Sequence, residues 1–228
     1  MQSRIKDIYA LVAVITLLMV ALFSPSGHAG NASGGEQQSD SSAWRFRVFL
    51  DDREIGYHHF YLDSSGEVRT LRSEASFEYR LLFVKLFHYE HENLETWSGD
   101  CLQSVHSKTD ANGRDYFVKG SREAMGFRVE NMEGSLALPE CVMSFAYWNP
   151  DFLEQPRLLN TQDGTFLDVE VTEPVPDQKV VRGQPVTAYR YSLDAGEFNV
   201  DLWYSANEEW LALESEVQGG RKLRYEPF

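Results

Sequence analysis

Only two cysteines occur in the 228 residues, Cys101 and Cys141, and neither sits in a sequence that would activate it as a nucleophile. Prolines number eight, and the apolar run at the start is the one long hydrophobic stretch. Basic residues are few, 21 Lys and Arg against 35 Asp and Glu, and they gather in no segment. A formal charge of −14 repels phosphate backbones and anionic lipid surfaces, so nucleic acid is excluded as a partner class. Missing too are a nucleophile-elbow serine, a glycine-rich phosphate loop and a cofactor motif. Gly219-Gly220 follows a strand pattern but leads to another strand, and Glu208-Glu209 reads as a hairpin tip. No catalytic residue, cofactor or metal site is assigned.

At the N-terminus, Arg4 and Lys6 precede an apolar run from Ile8 to Phe23, followed by the small-residue stretch Ser24 to Gly30. That layout predicts a secretory signal peptide over 1–29. The run would span roughly 24 Å as a helix, short of a bilayer core, so cleavage and no remaining membrane span are expected. The competing reading is an uncleaved anchor. Residues 30–42, rich in Ser, Gly, Gln and Asn, read as a flexible leader because they carry too little apolar surface to offset ordering entropy. Taking 29 residues from 228 leaves 199, enough for one domain over 43–228. The charge becomes −15 once Arg4, Lys6 and Asp7 leave with the leader peptide. In an oxidising compartment Cys101 and Cys141 are expected to pair, two buried thiols being the alternative.

From Trp44 onward the dominant period is two. Trp44, Phe46, Val48 and Leu50 alternate with Arg45 and Arg47, placing the apolar set on one face of a strand. Further strands are predicted over 55–62, 68–79, 84–97, 102–109, 116–119, 127–132, 167–171, 187–193, 198–204, 210–217 and 222–228. Ser98-Gly99-Asp100, Asn112-Gly113 and Gly120 are read as breaks. Only 141–155 departs from the period, and Asn149-Pro150-Asp151 predicts the entry to one short helix. The fold class is therefore mainly β, a strongly curved antiparallel sheet or incomplete β-barrel with one short helical segment. A closed or sandwich arrangement fits the same strand count.

Two segments stand out chemically. His88-Tyr89-Glu90-His91-Glu92, with His58-His59 earlier, could support metal or acid–base chemistry if strands brought them together, but alternation divides the first group between two faces. The segment Cys141 to Asn149, with Phe145, Tyr147 and Trp148, should plug the sheet's interior or line a cavity floor. With Trp203, these aromatics are the candidate ligand-binding residues for a hydrophobic or lipid-like molecule. A continuous apolar cavity would favour that reading. A packed interior would favour an envelope protein that docks other proteins.

The opening LDDREIGYHHF, the middle YEHENLETWSGDCLQS and the block CVMSFAYWN with LLNTQDG resemble an exported bacterial family, domain of unknown function 6134. The likeness covers nearly all of Trp44 to Tyr225 and implies a Gram-negative envelope protein, without an activity to carry over. The ending FNVDLWYSANEEWLALESEV, followed by Gly219-Gly220, is similar to late hairpins of periplasmic lipoprotein-carrier-type proteins. That likeness spans one hairpin and implies an unclosed barrel with a helix across its mouth, holding acyl chains.

Overall fold

A computed structural model describes residues 40–81, 84–217 and 219–228. The expected signal peptide over 1–29 and most of the expected leader lie outside the described residues. Alternating apolar side chains generate long strands here because each pleated strand can bury one face while its backbone pairs on both sides. β1 (Asp40–Leu50), β2 (Arg53–Ser65), β3 (Val68–Leu81), β4 (Val84–Ser98), β5 (Cys101–Ala111), β6 (Asp115–Glu123), β7 (Gly126–Asn131) and β8 (Gly134–Leu138) form one antiparallel meander. β13 (Gln184–Asp194), β14 (Asn199–Tyr204), β15 (Trp210–Val217) and β16 (Arg221–Pro227) form a second, and β16 pairs with β1 to merge them. The sheet stays open. β8 lies at one edge, while β11 (Glu170–Val171) and β12 (Val175–Val181) both pair with β13 at the other.

Between the two meanders the chain crosses the concavity. This crossing, residues 139–169, carries a 3-10 turn over Pro150–Glu154 and a small hairpin of β9 (Arg157–Leu159) with β10 (Phe166–Asp168). Asn149 caps the turn, accepting the Asp151 N–H on Oδ1, and Pro150 stands at its first position where no N–H is needed. The expected short helical segment is thus a single 3-10 turn. Among the described residues no helix is long and apolar enough to cross a membrane.

The strands differ from the sequence pattern at several places, three of them for a clear physical reason. β1 begins at Asp40, inside the expected leader, because Asp40, Ser41 and Ser42 pair with Ser64, Asp63 and Leu62 of β2 and need no buried side chains to do so. Gly120 is no break: β6 runs through it. A Cβ there would sit 2.5 Å from Cε1 of Phe127 and 2.7 Å from Cγ1 of Val105, so the glycine makes room for a ring of the next strand. β12 has no alternating apolar signature and contains Pro176, which its position at the sheet edge tolerates.

Candidate functional site

The inner face of the sheet is built from alternate residues of each strand. Phe46 and Val48 of β1, Phe60 and Leu62 of β2, Leu71 and Phe77 of β3, Val105 of β5 and Phe127 of β7 are all buried there. β4 is unlike the rest. Its inward residues are Tyr89, His91, Asn93, Glu95 and Trp97, so three polar side chains enter the concavity from this strand, beside Ser73 of β3 and Ser107 and Thr109 of β5. Buried polar groups need partners, and β4 itself, β5 and the crossing segment each supply some of them. Glu95 accepts from Asn93 Nδ2 at 3.0 Å, Ser144 Oγ at 2.9 Å and Trp97 Nε1 at 2.9 Å. Burial raises its pKa, and those three donors pull it partly back.

Next to it, Ser107 donates to the carbonyl of Thr161, and Thr109 to that of Gln162 at 3.0 Å. The single Thr109 proton goes to that carbonyl, so the 2.9 Å contact with His91 has the imidazole Nδ1–H donating to Thr109 Oγ1. From the opposite wall Tyr204 of β14 donates its hydroxyl to the Tyr147 carbonyl at 2.8 Å, and on the near side Asn131 of β7 donates to the Asp163 carbonyl at 2.8 Å. The Cys101–Cys141 disulfide pins the start of the segment to β5, as expected from the sequence. Beside it Leu102 N–H bonds to the Val142 carbonyl at 2.9 Å. The crossing segment is therefore a strap sewn to both halves of the sheet.

The strap fills the space it crosses. Val142, Met143, Ala146, Phe152, Leu158 and Leu159 are each at most 2 % exposed. Tyr147 packs on Trp210 and Phe152 with ring centroids 5.1 and 5.7 Å away, Phe145 on Phe198 at 5.5 Å, and Trp148 on Trp97 at 5.6 Å. Burial pushes the Tyr147, Tyr89 and Tyr225 hydroxyls well above their usual pKa, so all three stay neutral. Of the four candidate ligand-binding residues, the structure brings Phe145, Tyr147 and Trp148 together in the strap. It does not bring Trp203 to them. Trp203 follows one parity step from the inward Leu202 and Tyr204 positions. It lies on the outer face with Ala188, Leu211 and Ala212, beneath Val181 and Val186 of the β12–β13 hairpin.

The histidines separate in the same way. His58 and His91 face inward in one register row, with Ala75 between them, and that small side chain lets the two rings approach to 6.5 Å. The Tyr225 hydroxyl lies 3.2 Å from His58 Nδ1, while His58 Nε2 is buried without a partner among the described residues. Burial holds both pKa values down, that of His91 to about 4 and that of His58 well below its usual value, with His91 and His59 adding repulsion at His58. His59 and His88 belong to the outer face, near Glu74 at 3.6 Å and Glu90 at 3.8 Å respectively. Among the described residues no three His, Cys, Asp or Glu side chains gather in an arrangement that could hold a metal ion. Glu95 of the β4 polar row, hidden in sequence behind a metal-like His-Glu pattern, anchors the strap together with Ser107 and Thr109 of β5. The row's signal was the inward parity of Tyr89, His91, Asn93 and Glu95.

An unclosed antiparallel sheet with its concavity occupied by its own strap defines a β-barrel-like protein. The chain belongs to the family described as domain of unknown function (DUF6134), whose model matches residues 46–227. Among solved structures it is similar to the crystal structure of a beta-barrel-like protein of domain of unknown function DUF1849 from Brucella abortus. The two share 11 % identity at a TM-score of 0.55, over 82 % of this chain and 95 % of the other, a likeness of fold alone. No curated protein matches the sequence.

Proposed function

We propose that this is an exported envelope protein that works through its outer surface and free sheet edges, docking other proteins, rather than by enclosing a lipid. The observation that carries this reading is the occupied concavity: Phe145, Tyr147 and Trp148, the residues best suited to floor a ligand cavity, pack instead against Phe198, Trp210 and Trp97. Export rests on the charged, apolar and small-residue sequence of 1–29. At the edges, β8 and β12 each pair with one neighbour among the described residues, leaving alternate N–H and C=O groups facing outward. Leu136 on β8 is 45 % exposed and Val175 on β12 is 50 % exposed, giving an added strand apolar contacts beside the backbone ladder.

The test is photo-crosslinking in cells from residues placed singly at Leu136, Val175 and Phe145. Discrete protein adducts from an edge position, and none from Phe145, are expected. A stoichiometric lipid-sized molecule, released only on denaturation and crosslinked from Phe145, would instead restore the carrier reading.

A further inference from the structure

The β12–β13 hairpin folds over the outer face of the sheet. Lys179 lies 3.6 Å from the Trp203 ring centroid and pairs with Glu214 of β15, and Asp177 accepts the Trp203 indole N–H at 2.8 Å. The hairpin's tip thereby reaches β16 and β1, and an open cleft of about 470 Å³ lies between them, within the size range of small-ligand sites. Its apolar walls are Val180, Pro227 and Phe228, with Val180 67 % and Phe228 54 % exposed. Its charged groups are Arg47, Arg182 and Glu226. Glu226 is already matched by Arg224 at 3.1 Å, and Arg47 holds Glu54 only loosely at 3.7 Å. Arg182 takes part in no ion pair among the described residues, in a protein with a large excess of acids.

The backbone adds an independent observation. Val181 pairs with Gln184, leaving Arg182 and Gly183 as a two-residue loop with φ of 48° and 77°. Positive φ at both central positions is the type I′ pattern, which favours Asn-Gly or Asp-Gly. An arginine bears a conformational penalty there that asparagine largely avoids. Stability alone would choose another residue, and strain of this kind collects where a side chain has work to do.

We propose that the cleft binds a single-chain amphiphile with an anionic phosphate or carboxylate head. The head sits between Arg47 and Arg182, and the chain lies along Val180, Pro227 and Phe228. The ligand is a free monomer rather than a membrane surface: the charge of −14 repels an extended anionic sheet, whereas one head meets only the local field of two guanidinium groups, screened beyond about 8 Å.

Calorimetry with dodecyl phosphate below its micelle concentration tests this, with inorganic phosphate, dodecyltrimethylammonium and phosphatidylglycerol vesicles as comparators. Dodecyl phosphate should bind one to one, more weakly as salt rises, and at least tenfold more tightly than inorganic phosphate or the cationic detergent. Arg47→Gln should weaken it about tenfold. Arg182→Asn should weaken it similarly while leaving Tm equal to or above the parent value, because the turn is relieved; a purely structural arginine would not separate those two readouts. Affinity unchanged in Arg182→Asn, equal binding of the cationic detergent, or binding to vesicles but not to the monomer would each overturn the proposal. A tightly held lipid that persists in Arg182→Asn would belong to the interior and would count against the surface-acting reading instead.

Discussion

Lowering the pH should loosen the fold through His91. Its imidazole is 5 % exposed, packed between β3 and β5 with no carboxylate paired to it among the described residues, and burial holds its folded pKa at about 4 against 6.5 for an ordinary histidine. Below pH 6.5 the unfolded chain takes up a proton that the folded one refuses. The stability contributed by the neutral ring is thus complete above that pH and is lost progressively as the pH falls toward 4. At 1.36 kcal/mol per pKa unit, the full loss is about 3 kcal/mol, and moving from near pH 7.5 to near pH 5 realises about 2 kcal/mol of it. His58, also depressed by burial, acts in the same direction, whereas Glu95, whose pKa is raised, contributes oppositely: it favours the fold as pH falls through its folded value. Urea unfolding of the parent and of His91→Gln at the two pH values isolates the term, since glutamine retains an amide donor for Thr109 without titrating. The difference between pH values should shrink by about 2 kcal/mol in His91→Gln. An identical pH difference in the two proteins would refute the assignment of a buried neutral imidazole.

Removing the strap's covalent anchor by Cys101→Ser with Cys141→Ser frees a loop with a sequence separation of 40 and should cost about 4 kcal/mol in chemical denaturation, while the denatured, unreduced parent shows no free thiol. Gly120→Ala should destabilise by about 1 to 3 kcal/mol, read as a lower urea midpoint, because the new methyl overlaps Phe127 and Val105. Trp203→Ala should cost about 3 kcal/mol and open the β12–β13 hairpin to limited proteolysis near residues 175–183. Phe152→Ala, of similar cost, should instead expose the strap, so the two cleavage maps differ if the two clusters are independent.

Most of the strand pattern was open to reading from sequence because a half-buried strand writes its burial into every second residue. Phe46 and Val48 face inward as their alternation requires, and so do His91 and Glu95 once their parity with Tyr89 and Trp97 is respected. Where that code lapses, strands leave no mark in the sequence. β8 is five residues long and mostly exposed, and β12 holds Pro176 and faces water on one side, so neither carries the alternation that marked the longer strands. Gly120 looked like a break because a missing side chain reads the same in a turn as beneath a neighbouring ring. Trp203 is an aromatic like Phe145, Tyr147 and Trp148, but its position between Leu202 and Tyr204 places it on the other face.

Sequence by itself determined the mainly β class, the turn positions at Gly99 and Gly113 and the departure of 141–155 from the strand period, all of which depend on local geometry, and it made the pairing of the two cysteines the expectation that the structure shows. Tertiary structure alone decided that the sheet stays open, that the strap rather than a ligand occupies its concavity, and that the β12–β13 hairpin folds back to meet β1 and β16. Those outcomes depend on contacts between residues far apart in the chain, Glu95 with Ser144, Thr109 with Gln162 and Lys179 with Glu214, whose partners no local period can specify.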